Sequence, residues 1–208
     1  MAPAPETFVL RTSLTSPFGR KVRMAVDVLG LGDRVTVVSA DPLDETDTLR
    51  QQNPLGKMPC LVRGDGGTVY DSGIIIEFLQ DVAGSDRLLA KSGDARFKAL
   101  TLSRLADGII DASILVVYDA RFRPGEPPAE RWLAHQRGKI VRGLAAFETA
   151  PPEAQKTDIV AIGLACALGY LDWRKQVDWR AGAPRLVDWL NRFSAREPAF
   201  ARTRAPNA

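Results

Sequence analysis

The sequence predicts a small α/β domain with a mixed sheet, followed by a larger all-α domain. Three observations carry that prediction. Strand and helix signals alternate through roughly the first eighty residues, strand signals stop beyond about residue 84, and the remainder of the chain is a series of long helical stretches. The division falls at 1–84 and 85–208. A chain of 208 residues accommodates two small domains more readily than one.

Thr7–Leu10 reads as a short apolar strand. Pro17–Leu29 reads as a helix, with Val22, Ala25, Val26 and Leu29 at helical spacing and Gly30 and Gly32 to stop it. Val35–Val38 is a strand rich in β-branched residues. After a polar stretch rich in Asp and Gln, Cys60–Val62 forms a third strand, Gly64–Gly67 a hairpin turn and Thr68–Tyr70 its partner. Ser72 then opens a helix through Ile74, Ile75, Ile76, Phe78 and Leu79. The first βαβ unit demands a parallel pair and the hairpin an antiparallel one, so the sheet is mixed. Beyond a linker beginning at Ala83–Asp86, helices are expected over 95–122, 129–148, 158–174 and 184–194. Pro124–Pro128, Pro151-Pro152 and Ala181–Pro184 separate them.

Composition excludes several classes. At 45% hydrophobic and 25% charged, the chain is neither disordered nor fibrous. No apolar run approaches the ~20 residues of a membrane span, and Met1–Glu6 lacks the basic start and apolar stretch of a signal peptide. A soluble, cytoplasmic protein without membrane partners is therefore expected. Cys60 and Cys166 lie far apart and outside any Cys-x-x-Cys pair, which argues against a disulfide framework, a metal site or a dithiol centre. The net charge of +3 is spread along the chain, so no nucleic-acid partner is expected.

Three segments have the residue types for chemistry. In Ser13–Arg23, between the first strand and the first helix, Ser16 before Pro17 fits an N-cap with proline at the first helical position. Capping alone accounts for that serine. The same position also offers a hydroxyl at a helix N-terminus, where unpaired N–H groups and a partial positive charge favour anions. A thiol held there ionises more readily, and a serine hydroxyl donating to the thiolate stabilises it further. On that reading the serine is not the nucleophile but holds a cofactor's sulfur in its nucleophilic state.

In Asn53–Leu61, Pro59 stands at a strand start, where a missing N–H is tolerated. Trans is the ordinary state of an X–Pro bond. A cis Met58–Pro59 bond would expose the Met58 main chain, on which an extended peptide could pair as an added strand. In Asp71-Ser72-Gly73, Ser72 can simply cap the helix with Asp71 favouring its dipole. Alternatively, Ser72 binds a carboxylate and Asp71 an ammonium, a pair that matches a free amino-acid head. Taken in order, the three segments describe a ligand with a thiol at one end, a peptide bond in the middle and a zwitterionic head at the other.

The motifs Thr15-Ser16-Pro17-Phe18 with Arg20-Lys21-Val22-Arg23, Asn53–Pro59 and Tyr70–Leu79 resemble those of the glutathione S-transferases, in particular the bacterial branch. The likeness continues through Ala106–Ala112 and Ala165–Asp172, so it covers nearly the whole chain. It implies a thioredoxin-like first domain binding glutathione, an all-helical second domain, and a small hydrophobic electrophile held between them and conjugated, as in detoxification. It also implies a homodimer. By motif position, Ser16 contacts the glutathione sulfur, Met58 and a cis Pro59 form the backbone-pairing turn, Asp71 and Ser72 grip the γ-glutamyl end, and Lys57 reaches the glycine carboxylate. Ser13 and Thr15 offer alternative hydroxyls for the sulfur. Relatives with cysteine at the sulfur position favour disulfide exchange or reduction, and this chain has none there. The family's capping motif in a core helix maps onto Asp158 and Ala161, of which Asp158 can cap and Ala161 cannot return the bond.

Asp107 and Asp111 form a like-charge i, i+4 pair. They either mark a solvated face or, with Asp107 facing a dimer cleft, place that carboxylate against the glutathione amine of the other subunit. Leu14, Phe18, Tyr118 and Phe122 are candidates for lining the second-substrate pocket, or else belong to the core. Trp132, Trp173, Trp179 and Trp189 are expected to pack, His135 to be solvated, and Cys60 to be a buried, inert thiol. The same fold also serves as a non-catalytic glutathione-binding or protein-interaction module, or as a glutathione-dependent isomerase or peroxidase.

Overall fold

The computed structural model describes residues 6–206; the Met1–Pro5 segment read above for a leader lies outside them. The chain separates into two compact units, one formed up to Lys91 together with the segment from Ala199, the other by Ser92–Pro198. No helix among the described residues is long and apolar enough to cross a membrane.

The first unit contains β1 (Phe8–Arg11), α1 (Pro17–Val28), a 3₁₀ turn at Gly32–Arg34, β2 (Val35–Val38), α2 (Leu49–Gln52), β3 (Cys60–Arg63), β4 (Thr68–Tyr70) and α3 (Ser72–Val82). The sheet order is β2-β1-β3-β4, with β1 and β2 parallel and the other pairs antiparallel. This is the mixed sheet that the alternation of signals predicts, in the thioredoxin-like arrangement that the resemblance implies. Its core is the alternate residues Phe8 and Leu10 with Leu61, against Val22, Ala25 and Val26 of α1 and Ile75, Ile76 and Leu79 of α3. The strand period of two puts Phe8 and Leu10 on one face. Phe8 meets Phe78 edge-on at 5.7 Å between ring centres.

The ends of α1 and α3 follow from their residues. Gly30, at φ 69°, takes the left-handed conformation that closes α1. Its N–H reaches the Asp27 carbonyl and that of Leu31 the Val26 carbonyl, the paired bonds of a Schellman ending. Gly84 repeats the device after α3, with its N–H on Asp81 O and that of Ser85 on Gln80 O. Gly32 is not the stop but the first residue of the 3₁₀ turn. The single-turn helix α2 falls in the stretch expected to be merely polar, because it buries only Leu49 and has no apolar period to announce it.

Arg11 closes one end of the sheet. Its guanidinium pairs with Asp47 at 2.6 Å and donates to Thr48 Oγ1, Gln52 Oε1 and the Ser39 carbonyl. Asp47 also accepts the N–H groups of Asp41 and Leu49. The Asp41 N–H is the largest of the influences that hold the Asp47 carboxyl below the ordinary carboxylate range, with the Leu49 N–H and Arg11 adding to it. The C-terminal segment, with α8 (Pro198–Arg202), is tied to α1: Arg20 donates to Phe200 O at 2.6 Å and lies 4.2 Å over its ring, and Arg202 pairs with Asp27. The division of the sequence at 84/85 does not anticipate that grouping.

The helical unit comprises α4 (Asp94–Phe122), α5 (Glu130–Thr149), α6 (Ile159–Arg174) and α7 (Pro184–Arg196), with α4 packed on both α5 and α6. Apolar nearly all round, α6 is buried almost throughout, as a central helix must be. Asp158 caps it, Oδ1 accepting from Val160 N at 3.0 Å and Ala161 N at 2.9 Å. Trp189 stacks on Phe193 in the core and Trp179 is buried with its Nε1 donating to Asp172. Trp173 is half-buried beneath the Arg174 guanidinium. Trp132 departs from the packing expectation: it stands in the first turn of α5 and is 46% exposed. His135, beside it, is exposed as expected.

Two substitutions test the cap of α6 and the Arg11 cluster. Asp158→Ala strips two N–H groups of their acceptor and is expected to cost about 1–2 kcal/mol in urea unfolding, while Asp158→Ser retains most of the cap. Asp47 has a depressed carboxyl in the folded state, so its contribution is full above the unfolded value of about 3.9 and is lost as pH falls through the folded value. The stability gap between wild type and Asp47→Asn, read from thermal melts, should be widest near neutrality and close below about pH 4.

Candidate functional site

The strand register decides where the three sequence motifs meet. Arg11 pairs with Val38 on one side and Cys60 on the other, and Cys60 pairs with Tyr70. These four residues form one row at one end of the sheet. The loop 12–16 leaves from Arg11, the Met58–Pro59 turn enters at Cys60, and Asp71-Ser72 leaves from Tyr70. In open α/β sheets, ligands are bound at such strand ends, among the loops that leave them.

At the first of these exits Ser16 caps α1, with Pro17 in the first turn. Its Oγ accepts the Gly19 N–H at 3.0 Å. A hydroxyl that accepts keeps its proton for donation elsewhere, so Ser16 presents an O–H at the N-terminus of a twelve-residue helix. Ser13 Oγ and Thr15 Oγ1 lie 3.0 Å apart and hydrogen-bond to each other. One of that pair must donate to the other, so Ser16 and the accepting member of the pair each keep a proton to donate elsewhere. Gly19 is required by close approach, since a Cβ there would collide with Oγ1 of the buried Thr12.

At the second, the Met58–Pro59 bond is cis. The turn is held by Asn53, whose Nδ2 donates to Lys57 O at 2.8 Å and whose Oδ1 accepts from Leu55 N. Met58 packs on the small cluster of Ala40, Leu49 and Cys60, and its Sδ accepts the Ser13 N–H at 3.1 Å. The turn and the Ser16 loop are thus in direct contact. Lys57 is exposed. Cys60 is fully buried and burial pushes its thiol up, which leaves it a poor nucleophile, as expected.

At the third, the cap is Asp71 and not Ser72. Its Oδ1 accepts the N–H groups of Gly73 at 2.9 Å and Ile74 at 3.2 Å, from a backbone at φ 71°. The sequence places two candidate cap residues side by side, and only the backbone dihedral shows which one is used. The Ile75 N–H is taken by the Asp71 carbonyl. The Ser72 N–H is then the one early amide of α3 without an acceptor among the described residues. Buried Ser72 accepts at Oγ from Lys21 Nζ at 3.3 Å. The Arg20–Arg23 motif contains Lys21 without assigning it a role; its basic character within an apolar helix stripe is the available signal.

Asp107 belongs to the helical unit, on α4. Its carboxylate is buried and lies 3.3 Å from Arg104 one turn earlier, whereas Asp111 is exposed. The two members of the like-charge pair thus differ in burial. Tyr118 and Phe122 meet edge-on at 5.0 Å with Phe122 largely exposed, and in the first unit Leu14 is exposed. No cluster of metal-ligating residues occurs among the described residues.

A thioredoxin-like sheet with a capped serine helix, a cis-proline turn and an Asp-Ser helix start at one strand end defines a class, and the comparisons agree with it. The family model of the glutathione S-transferase N-terminal domain matches residues 15–82. The chain is 34% identical over 201 residues to the uncharacterized GST-like protein YibF of Escherichia coli, covering 94% of this chain and 98% of the relative. A crystal structure of a glutathione transferase family member from Pseudomonas fluorescens Pf-5, with bound glutathione, superposes with a TM-score of 0.90 at 39% identity, over 96% of this chain and 100% of that one. A glutathione S-transferase from Methylobacterium radiotolerans, in complex with glutathione sulfonate, gives 0.85 at 33% identity over 97% and 96% of the two chains. The chain belongs to the glutathione S-transferase superfamily.

The Gly19 contact yields a test of the loop geometry. Gly→Ala inside a helix ordinarily stabilises by about 0.5–1 kcal/mol. Gly19→Ala should instead destabilise by about 1–3 kcal/mol in chemical unfolding, as overpacking does, and Thr12→Ala should recover part of the loss in the double variant.

Proposed function

We propose that the protein is a glutathione transferase that holds glutathione along the Arg11–Cys60–Tyr70 end of its sheet and adds the thiolate to a small hydrophobic electrophile. The observation that carries this reading is the shared row: the register gathers a hydroxyl at a helix N-terminus, a cis-proline turn and the Asp71-Ser72 helix start at one sheet end. These are the three partners needed by a thiol, a peptide bond and an amino-acid head, in that order.

In this reading Ser16 is the catalytic residue. Its O–H donates to the sulfur, and the N-terminus of α1 adds a positive potential, so the thiol loses its proton to solvent and stays a thiolate. The sulfur then attacks the electrophilic carbon, forming the C–S bond as the leaving group departs. Stabilising the thiolate is the main electrostatic contribution, and holding the electrophile beside it supplies the rest. The Met58 main chain beside cis Pro59 pairs with the cysteinyl segment in the manner of an added strand. Ser72 takes the γ-glutamyl carboxylate on its N–H and O–H, Asp71 takes the ammonium, and Lys57 reaches the glycine carboxylate. In a homodimer, Asp107 of the partner subunit adds a second carboxylate to the ammonium. We assign the reaction to the cytoplasm, in keeping with Cys60 and Cys166 being buried and not joined in a disulfide.

Calorimetry with glutathione, together with ultraviolet titration of the bound thiol and conjugation of a chloronitrobenzene, tests the assignment. Ser72→Ala should weaken binding about tenfold, the cost of a lost charge-assisted hydrogen bond. Ser16→Ala should leave affinity nearly unchanged, raise the bound thiol's pKa by about one unit and cut conjugation about a hundredfold. Failure of the wild type to bind at millimolar glutathione would overturn the proposal. Binding without conjugation of any electrophile would leave a binding module, or an isomerase or peroxidase to be sought with carbonyl and peroxide substrates.

A further inference from the structure

Arg121 stands in the last turn of α4 and Arg174 in the last turn of α6, two helices that pack together in the helical unit. A cation is favoured at a helix C-terminus, so their presence there needs no ligand. Their partners are the informative part. Each follows an aspartate by two positions, Asp119 and Asp172. Residues at i and i+2 do not share a helix face, and both carboxylates go elsewhere: Asp119 pairs with Arg123 at 3.0 Å and Asp172 with Arg180 at 2.7 Å. Arg121 and Arg174 form no ion pair among the described residues and lie against rings instead. Arg174 is 3.8 Å over Trp173 and 5.6 Å from Tyr170, while Arg121 is 5.9 Å from Tyr118 and 6.0 Å from Phe122.

The two clusters meet at Tyr170. Burial is the main influence on its phenol and pushes it up, so the hydroxyl keeps its proton near neutrality. Arg174 acts on the same hydroxyl in the opposite sense, and so, from α4, does Arg121, with Tyr118 beside it. One protonated hydroxyl and two guanidiniums thus converge from two helices. A ring occupies the face of a guanidinium and leaves the N–H donors in its plane for another partner. The rings themselves are not closed over: Phe122 is 54% exposed, Tyr118 and Trp173 are half-buried, and so are the four apolar residues 114–117. Donors of one sign beside open aromatic faces suit an anionic group on a flat, apolar body.

We propose that the ends of α4 and α6 form a binding site for an aromatic carboxylate: Arg121, Arg174 and the Tyr170 O–H take the carboxylate, and Tyr118, Phe122 and Trp173 take the ring. The proposal deepens the transferase reading, and its catalytic consequence rests on that reading: the hydrophobic electrophile carries an acid group. With an aryl chloride the glutathione sulfur forms the C–S bond, the C–Cl bond breaks and chloride leaves with its electron pair. The carboxylate is untouched and serves only to hold the ring.

The experiment uses 4-chloro-3-nitrobenzoate and 4-chloro-3-nitrobenzamide, the same ring with and without the charge. Calorimetry on the full chain without glutathione should show the acid bound about tenfold tighter than the amide. Arg121→Gln and Arg174→Gln should each cut that preference by about threefold to tenfold, and the double variant should erase it. Arg174→Lys, which keeps the charge and loses the planar fork, should retain part of it. With glutathione present, the same substitutions should lower kcat/KM for the acid relative to the amide by a similar factor, through KM, and leave the bound thiol's titration where it is. A wild type without preference for the acid overturns the proposal, as does a preference that survives the double substitution. Equal losses for acid and amide in the variants would show a packing role and overturn it too. Preference for the acid in binding, with neither compound conjugated, supports the site and overturns the transferase reading beneath it, so the two failures are distinct.

Discussion

The pairing of Arg11 with Cys60, and of Cys60 with Tyr70, is the constraint on which the rest of the site depends. Because side chains alternate along a strand, register and core are one property: Leu10 and Leu61 face each other across β1 and β3 and are both fully buried. A slip of one residue would send both to the opposite face. The same slip would displace Pro59 and Asp71 relative to Ser16. Burial of ordinary leucines thus fixes the relative positions of three polar motifs that lie far apart in sequence.

Arg11 adds a second fixing at the same row. Its four polar partners come from the segment 39–52, which includes α2 and leads into the cis-proline turn. That segment has little apolar content of its own, and α2 buries only Leu49. It is ordered mainly by hydrogen bonds converging on one guanidinium and one carboxylate. Asp47, held by the N–H groups of Asp41 and Leu49, is in turn fixed before Arg11 reaches it. Breaking this cluster would loosen the approach to Met58 while leaving the strands paired.

The parts of this fold legible in the sequence are those determined within a few residues. Ser16-Pro17 predicts a helix start, Gly30 a left-handed stop, Asp158 a cap and Gly64–Gly67 a hairpin, because each states a backbone requirement locally. The illegible parts depend on residues far apart. Lys21 gains its meaning from Ser72, fifty-one positions away. The C-terminal segment joins the first unit through Arg20, 180 residues before its acceptor Phe200 O. Asp71 and Ser72 are both good caps by composition, and the choice between them rests on a φ of 71°, which no side chain announces. Such a conformation in a non-glycine residue costs about 1–3 kcal/mol and is retained where surrounding structure over-determines it, commonly at functional sites.

The charge pattern of α1 makes the same point from electrostatics. Its first turn carries no acidic residue, and Arg20, Lys21 and Arg23 all fall in its first seven positions. Basic residues near a helix N-terminus oppose the macrodipole, and a sequence shaped for helix stability alone would place Asp or Glu there. Each cation instead has a tertiary anchor: Arg20 on Phe200 O, Lys21 on Ser72 Oγ, and Arg23 on the carbonyls of Leu14 and Thr203. These anchors are carbonyl and hydroxyl oxygens, which fix each positive group in place. A local preference set aside three times within four residues, with a tertiary contact each time, is the pattern found where something other than local helix stability shapes a sequence. Under the proposed reading, the anion that this helix start would serve is the glutathione thiolate beside the Ser16 hydroxyl.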